Sequence, residues 1–357
     1  MVYDAADGYV VVYAICAEPH VVFTSCTWKY SGGSWTNITS SHGPNPPAVL
    51  EGSFVWDAAD GGAVLFGGLI YPTGGAPRTV WEFKGGVWTN LTTTLSPAIP
   101  DTWMTRAAYD SRDGYVVSVW QNFFRPSGAT YTFTLRDGTW TNVTETSNGS
   151  GLPLQPVAAD DPSDAGALFF GGLNGTTGAA TNETWLFSGG LWHLLSSRPS
   201  PPVRDLPSMA YDSLDGYILL VGGIEGNCPN SNCQLLPDDW TFAHGRWTNI
   251  TSTMRGDSPR EDGGLMVADG YVLECLGLVG VDNSSSAYIT QPGLYTYLNG
   301  TWTAYFSPSS SGFPWLELTL LVGVGAAVAA LVAFFAFRRQ RRPRAGAEPP
   351  VTPPPGV

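Results

Sequence analysis

Six tryptophans, Trp35, Trp88, Trp140, Trp192, Trp247 and Trp302, recur 52 to 55 residues apart, each two positions after a glycine. A long fixed period of this kind restricts the chain to architectures in which one supersecondary unit is repeated and no single unit can bury its own faces. The glycine follows Gly32, Gly85, Asp137, Gly189, His244 or Asn299. Pairs such as GG, DG and NG favour left-handed backbone at both central positions of a two-residue hairpin. Each Trp therefore opens the second strand of a hairpin. Seven and five residues before it stand bulky alternating residues, such as Trp81 and Phe83 or Trp240 and Phe242, the period of a strand with one buried face.

A second hairpin precedes this one in each repeat, clearest in YDAADGYVVVYA from Tyr3, WDAADGGAVLFGG from Trp56, YDSRDGYVVSVW from Tyr109 and YDSLDGYILLVGG from Tyr211. Asp-x-x-Asp-Gly is turn chemistry between apolar strands. Four antiparallel strands per repeat, with almost no helical signal before Leu318, predict an all-β, six-bladed β-propeller over residues 1–306, its blades ending near the six tryptophans. The 45 aromatic residues (Trp 14, Tyr 15, Phe 16) and the abundance of Gly (43) and Pro (28) suit such a turn-dense core.

The pattern resembles the kelch family. An apolar run ends in a double glycine at Gly67–Gly68, Gly171–Gly172 and Gly222–Gly223, followed by the spaced aromatics Trp81/Trp88, Trp185/Trp192 and Trp240/Trp247. The first and third repeats end instead in Tyr13-Ala14 and Val119-Trp120, and the sixth keeps only Gly277. The resemblance implies a propeller related to that of galactose oxidase, and with it a copper radical oxidase as one alternative. That chemistry needs a cysteine-linked tyrosine and two converging histidines, whereas His20, His42, His193 and His244 fall at unlike repeat positions. No H-E-x-x-H, G-x-S-x-G or phosphate loop is present. The expectation is a non-enzyme with no cofactor and no metal. An exported carbohydrate-active or oxidase enzyme, with its site in the propeller channel, is the rival.

From Leu318 to Phe337 no residue is charged, enough at 1.5 Å per residue to cross a bilayer core of about 30 Å. Arg338, Arg339, Arg341, Arg342 and Arg344 follow at once, a membrane stop that places the C-terminus in the cytoplasm. The expected organisation is propeller 1–306, linker 307–315, one transmembrane helix 316–337 and a basic, Pro-rich tail 338–357, with the propeller outside the cell. Met1 leads directly into MVYDAADGYVVVYA, so an export signal is expected upstream. A cytosolic tail-anchored scaffold is the alternative topology. Within the span, Gly323, Ala327, Gly325 and Ala329 form small-xxx-small pairs that suit a weak homodimer.

An exterior location makes Cys16–Cys26 and Cys228–Cys233 the expected disulfides. Asn-x-Ser/Thr occurs in the repeated WTN[ILV]T strand at Asn37, Asn90, Asn142 and Asn249, where β propensity and a polar edge explain it. The loop sites Asn148, Asn174, Asn182 and Asn283 are the expected glycosylation sites. Loops between the second and third strands, and between blades, are long and gather on one face. Trp120, Phe123, Phe124 and Arg125 in blade three and Tyr71 and Arg78 in blade two are the candidate binding residues there. Setting aside the five arginines after Phe337 with Glu317 and Glu348 leaves 12 basic and 28 acidic residues. That balance excludes nucleic acid as a partner and leaves an extracellular protein or glycan, with the bilayer engaged through one helix.

Overall fold

The computed structural model describes residues 1–306 apart from 19–21, 33, 40–42, 71–72, 74, 76–78, 93–103, 122–129, 226–233, 256–263, 269–270, 276–277, 283–286 and 291–293. The expected linker, transmembrane helix and tail, with Arg338, Arg339, Arg341, Arg342 and Arg344, lie outside the described residues. Among the described residues no helix is long and apolar enough to cross a membrane.

The chain is an all-β propeller built of four-stranded antiparallel sheets. The first blade holds β1 (Val2–Asp4), β2 (Tyr9–Glu18), β3 (Val22–Ser31) and β4 (Ser34–Asn37), and the second β5 (Val49–Asp57), β6 (Gly62–Ile70), β7 (Val80–Lys84) and β8 (Val87–Asn90). The third holds β9 (Met104–Asp110), β10 (Tyr115–Gln121), β11 (Thr130–Arg136) and β12 (Thr139–Asn142), and the fourth β13 (Val157–Asp161), β14 (Gly166–Phe170), β15 (Thr184–Ser188) and β16 (Leu191–Leu195). In the fifth, β17 (Ser208–Asp212), β18 (Tyr217–Val221), β21 (Asp239–Ala243) and β22 (Arg246–Asn249) form the sheet, and β19 (Ile224–Glu225) pairs β20 (Gln234–Leu235) as a separate ribbon. These five blades are described with their side chains. The last sheet, β23 (Gly264–Ala268), β24 (Tyr271–Cys275), β27 (Leu294–Leu298) and β28 (Thr301–Phe306), with the ribbon β25 (Leu278–Asp282) and β26 (Ala287–Thr290), is described as strands, with side chains only from Tyr297 to Thr303. Five blades are thus described in full where the sequence predicts six. The inner strands β1, β5, β9, β13, β17 and β23 are neighbours in turn, and β23 lies against β1. Among the described residues the ring closes by this contact, and the first and last sheets exchange no strand.

Local chemistry sets the turns. Asp137, His244 and Asn299 take φ of 48°, 52° and 49°, each followed by a positive-φ glycine, as the two-residue hairpins require. In the first hairpin of each of the five blades, Asp4, Asp57, Asp110, Asp161 and Asp212 end the inner strand and turn their Oδ1 back to accept backbone N–H groups of the turn, as from Ala6 and Asp7 or Arg112 and Asp113 at 3.1 Å. Asp113 and Asp164, the second acids of this turn, accept N–H of Gly189 and Gly245 in the following blade at 2.8 Å. The turn motif thus also ties neighbouring blades together.

The core lies between blades rather than within them. Trp140 packs edge-on to Phe66 of the blade before it at 4.9 Å, and Trp247 on Phe170 at 5.0 Å. The indole N–H of Trp88, Trp192 and Trp247 crosses the same gap to donate to Thr27, Thr132 and Thr184 Oγ1 at 2.8, 3.0 and 2.9 Å. The repeated Trp is thus a packing residue with a polar handle.

The double glycine has an equally physical cause. A Cβ on Gly68 would stand 2.4 Å from Leu50 O and one on Gly172 2.2 Å from Leu154 O, while one on Gly67 would meet Thr105 Cγ2 of the next blade at 2.4 Å. The chain running into the inner strand crosses the end of the second strand so closely that no side chain fits between them.

Candidate functional site: the loop face

Antiparallel order places both hairpin turns of every blade at one end of the disc, and the second-to-third strand loops and inter-blade connections at the other. Where those connections enter the inner strands, Glu51, Gln155 and Leu206 occupy the same register in blades two, four and five, with φ of 59°, 54° and 54°. None is glycine, and each is held in a conformation L-residues seldom adopt. Such strain clusters at sites where the surrounding structure over-determines a geometry.

Beside these residues lies a charged cluster. Arg106 Nη2 on β9 donates to Glu51 Oε2 at 2.8 Å, with both side chains 23% exposed. Asp205, which precedes Leu206 in blade five, feels both partners. Its carboxyl is raised to about 6, first by burial, with the N–H of Leu206 and the charge of Arg106 opposing and Glu51 adding to the rise. Asp205 is half-buried. An acid with this shift, opposite an arginine, is suited to hold a cationic or hydrogen-bonding group, or to exchange a proton.

A recess lies between the blade-three-to-four connection and the second-to-third strand loop of blade four. Its volume is about 360 Å³, and its lining includes Gly151, Pro153, Asn174, Thr176, Thr181 and Glu183. Glu183 Oε2 accepts from Trp185 Nε1 at 2.9 Å, which fixes the carboxylate.

The candidate binding residues fare differently. Trp120 is a correction: it lies in β10, 1% exposed, stacked on Phe66 at 5.4 Å, with its N–H given to Ser118 Oγ at 2.7 Å. It belongs to the core because the apolar run of β10 continues through it. Phe123, Phe124, Arg125, Tyr71 and Arg78 lie outside the described residues, as do Cys228, Cys233 and Asn283. Cys16 and Cys26 form a disulfide with Cα atoms 5.9 Å apart, across paired strands β2 and β3.

The sequons separate into two kinds. Asn148, Asn174 and Asn182 are exposed loop residues. Asn37, Asn90, Asn142 and Asn249 are exposed as well, but each Oδ1 accepts the N–H of the Thr two residues on at 2.9–3.0 Å, and that Thr Oγ1 accepts a third-strand N–H. Hydrogen bonding accounts for the motif in these four strands. Arg106, Glu51 and Asp205 escaped the sequence reading, since their meeting depends on three blades closing around one axis. Among the described residues no cluster of His, Cys, Asp and Glu is arranged to hold a metal ion.

No protein-family model matches the sequence, and no curated protein matches it. The chain is similar in fold to a solved structure described as "Structure of YjhT", with a TM-score of 0.52 over 83% of this chain and 97% of that one. At 12% identity the likeness is one of fold alone, and it agrees with the β-propeller architecture described above.

Proposed function

We propose that the protein is a cell-surface binding module: a kelch-like propeller that takes an extracellular protein or glycan on its loop face and is anchored by the apolar segment Leu318–Phe337. The difference between the two faces carries this reading. One end is closed by tight, hydrogen-bonded turns, while the other holds the connecting loops, three strained residues and the Glu51–Arg106–Asp205 cluster. Binding residues concentrate on loops held by a rigid scaffold. The arginines after Phe337 and the exposed loop sequons support a propeller outside the cell. Protease treatment of intact cells, then of opened membranes, tests the topology: digestion of the propeller before opening is expected, and protection until opening would sink it. Screening the purified chain against glycan and protein arrays, with Asp205→Asn as the comparison, tests the binding face.

A second reading draws on Asp205. A carboxyl raised to about 6 opposite an arginine fits an acid or base in an exported enzyme whose site is the channel. Turnover of a sugar substrate abolished by Asp205→Asn would favour it over the binding module.

A further inference from the structure

Blades four and five are built in one register around their double glycines. Thr181 N donates to Gly172 O at 2.8 Å as Leu236 N does to Gly223 O at 2.9 Å, and Leu154 and Leu173 exchange backbone hydrogen bonds as Asp205 and Ile224 do. The register makes Glu183 the counterpart of Asp238, and each carboxylate accepts the indole N–H of the Trp two residues later, at 2.9 Å and 2.6 Å. It makes Pro153 the counterpart of Arg204.

In blade five that arginine fills the space. Arg204 is wholly buried, donating from Nη1 to Gly222 O at 2.6 Å and from Nη2 to both oxygens of Asp238 at 2.9 and 2.8 Å. In blade four Pro153 supplies no guanidinium. Glu183 instead borders the recess of about 360 Å³, a volume within the range of about 300–1,000 Å³ of small-ligand sites, and Pro153 lines the same recess. The remaining walls are Ser and Thr side chains, the Asn174 amide, Leu152 and glycine backbone, with no second carboxylate and no cationic side chain among the described lining residues.

We infer that the blade-four recess is a guanidinium site, in which an arginine-like group from outside the chain meets Glu183 as Arg204 meets Asp238 in blade five. A planar guanidinium matches a fixed carboxylate with paired, charge-assisted hydrogen bonds. The counterpart of Gly222 O, Gly171 O, accepts instead from Thr181 Oγ1 at 3.2 Å, so the ligand's guanidinium is held chiefly by Glu183. The acidic balance of the chain, 30 acidic against 17 basic residues, favours a cationic group reaching this face. The inference rests on the loop-face reading and names the chemistry of one site on that face.

The test uses the full chain in detergent micelles and calorimetric titration. Three probes are compared: N-acetyl-arginine amide, its uncharged isostere N-acetyl-citrulline amide, and an acetylated Gly-Gly-Arg-Gly-Gly amide. Saturable binding of the arginine probes is expected, with the citrulline compound weaker by about tenfold or more, the scale of one charge-assisted hydrogen-bond pair. Glu183→Gln keeps an acceptor for Trp185 and should lose a similar factor. Pro153→Arg should supply the missing side chain in cis, abolishing binding and raising Tm. If that variant fails to fold, Glu183→Gln still decides the matter. A peptide tighter than the simple amide would assign the site to a partner's arginine, and equal affinity to small guanidino compounds. No saturable binding of either arginine probe, equal binding of citrulline, or an unchanged Glu183→Gln variant would overturn the inference. An array ligand retained by both variants would leave the loop-face reading standing and remove this site from it.

Discussion

The indole N–H of Trp140 is buried and lacks an acceptor, although its counterparts in three other blades have one. The cause is a single residue. The register that places Thr27, Thr132 and Thr184 opposite the next blade's Trp places Val80 there in blade two, and Val80 is fully buried in the cluster that contains Trp140. Val80→Thr should therefore restore the hydrogen bond and stabilise the fold by about 0.5–1 kcal/mol in chemical denaturation, the usual net worth of one such bond. The converse, Thr132→Val, strands the Trp192 N–H and should cost about 1–3 kcal/mol. Equal losses from both substitutions would show that the hydroxyl is not what distinguishes the sites. The same register comparison explains why Trp185 and Trp240 are satisfied by Glu183 and Asp238 while Trp81, preceded by Thr79 at that position, has a buried N–H without a partner.

Within an element, two constraints have consequences that can be measured. Gly172 combines φ of +85° with a Cβ position 2.2 Å from Leu154 O, so Gly172→Ala should destabilise by on the order of 3 kcal/mol or more, since backbone cannot yield as a side-chain tip would. A Tm within a degree of wild type would mean that the crossing of the two segments is looser than described. The Cys16–Cys26 disulfide closes a span of 10 residues, for which loop-entropy arguments give about 3 kcal/mol. Cys16→Ser with Cys26→Ser should lower stability by that order, and the unchanged denaturation midpoint of a reduced sample would contradict it. The hairpins, the turn chemistry and this disulfide were legible in the sequence because each depends on residues within about ten positions of one another. The loss of Trp120 to the core was not, since its apolar run has no end marker and only pairing of β10 with β9 and β11 shows where the strand stops. Nor were Arg204–Asp238 or the strained Glu51, Gln155 and Leu206, which carry no glycine to announce positive φ. Their geometry comes from registers between segments some 15 to 35 residues apart.

Over the whole ring, repetition turns a local feature into a property of the protein. Asp4, Asp57, Asp110, Asp161 and Asp212 are each at most 2% exposed, and the Oδ2 of the first four has no hydrogen-bond partner. Burial raises every one of these carboxyls above the ordinary 3.8, against the opposing backbone N–H bonds of the turns, to about 6 for Asp110 and about 7 for Asp161. Asp160 is also raised to about 6, chiefly by burial. A folded-state pKa above the unfolded one means that the native protein holds more protons between the two values. Stability from these groups is therefore full below about pH 4 and is lost as pH rises through about 6 to 7, the reverse of the behaviour of salt-bridged carboxylates. Thermal unfolding should accordingly show Tm falling from pH 5 to pH 7.5. Asp161→Asn, which keeps the turn acceptor and cannot ionise, should flatten that slope by about one proton's share, roughly 1.4 kcal/mol per pH unit over the range where the carboxyl titrates. A slope unchanged by Asp161→Asn would place the proton uptake elsewhere, and a Tm rising toward neutral pH would show that the turn N–H groups outweigh burial in each blade. Because the same aspartate recurs in neighbouring blades, substituting Asp110 as well should deepen the effect in proportion, a summation that only a ring of equivalent, separately buried sites would give.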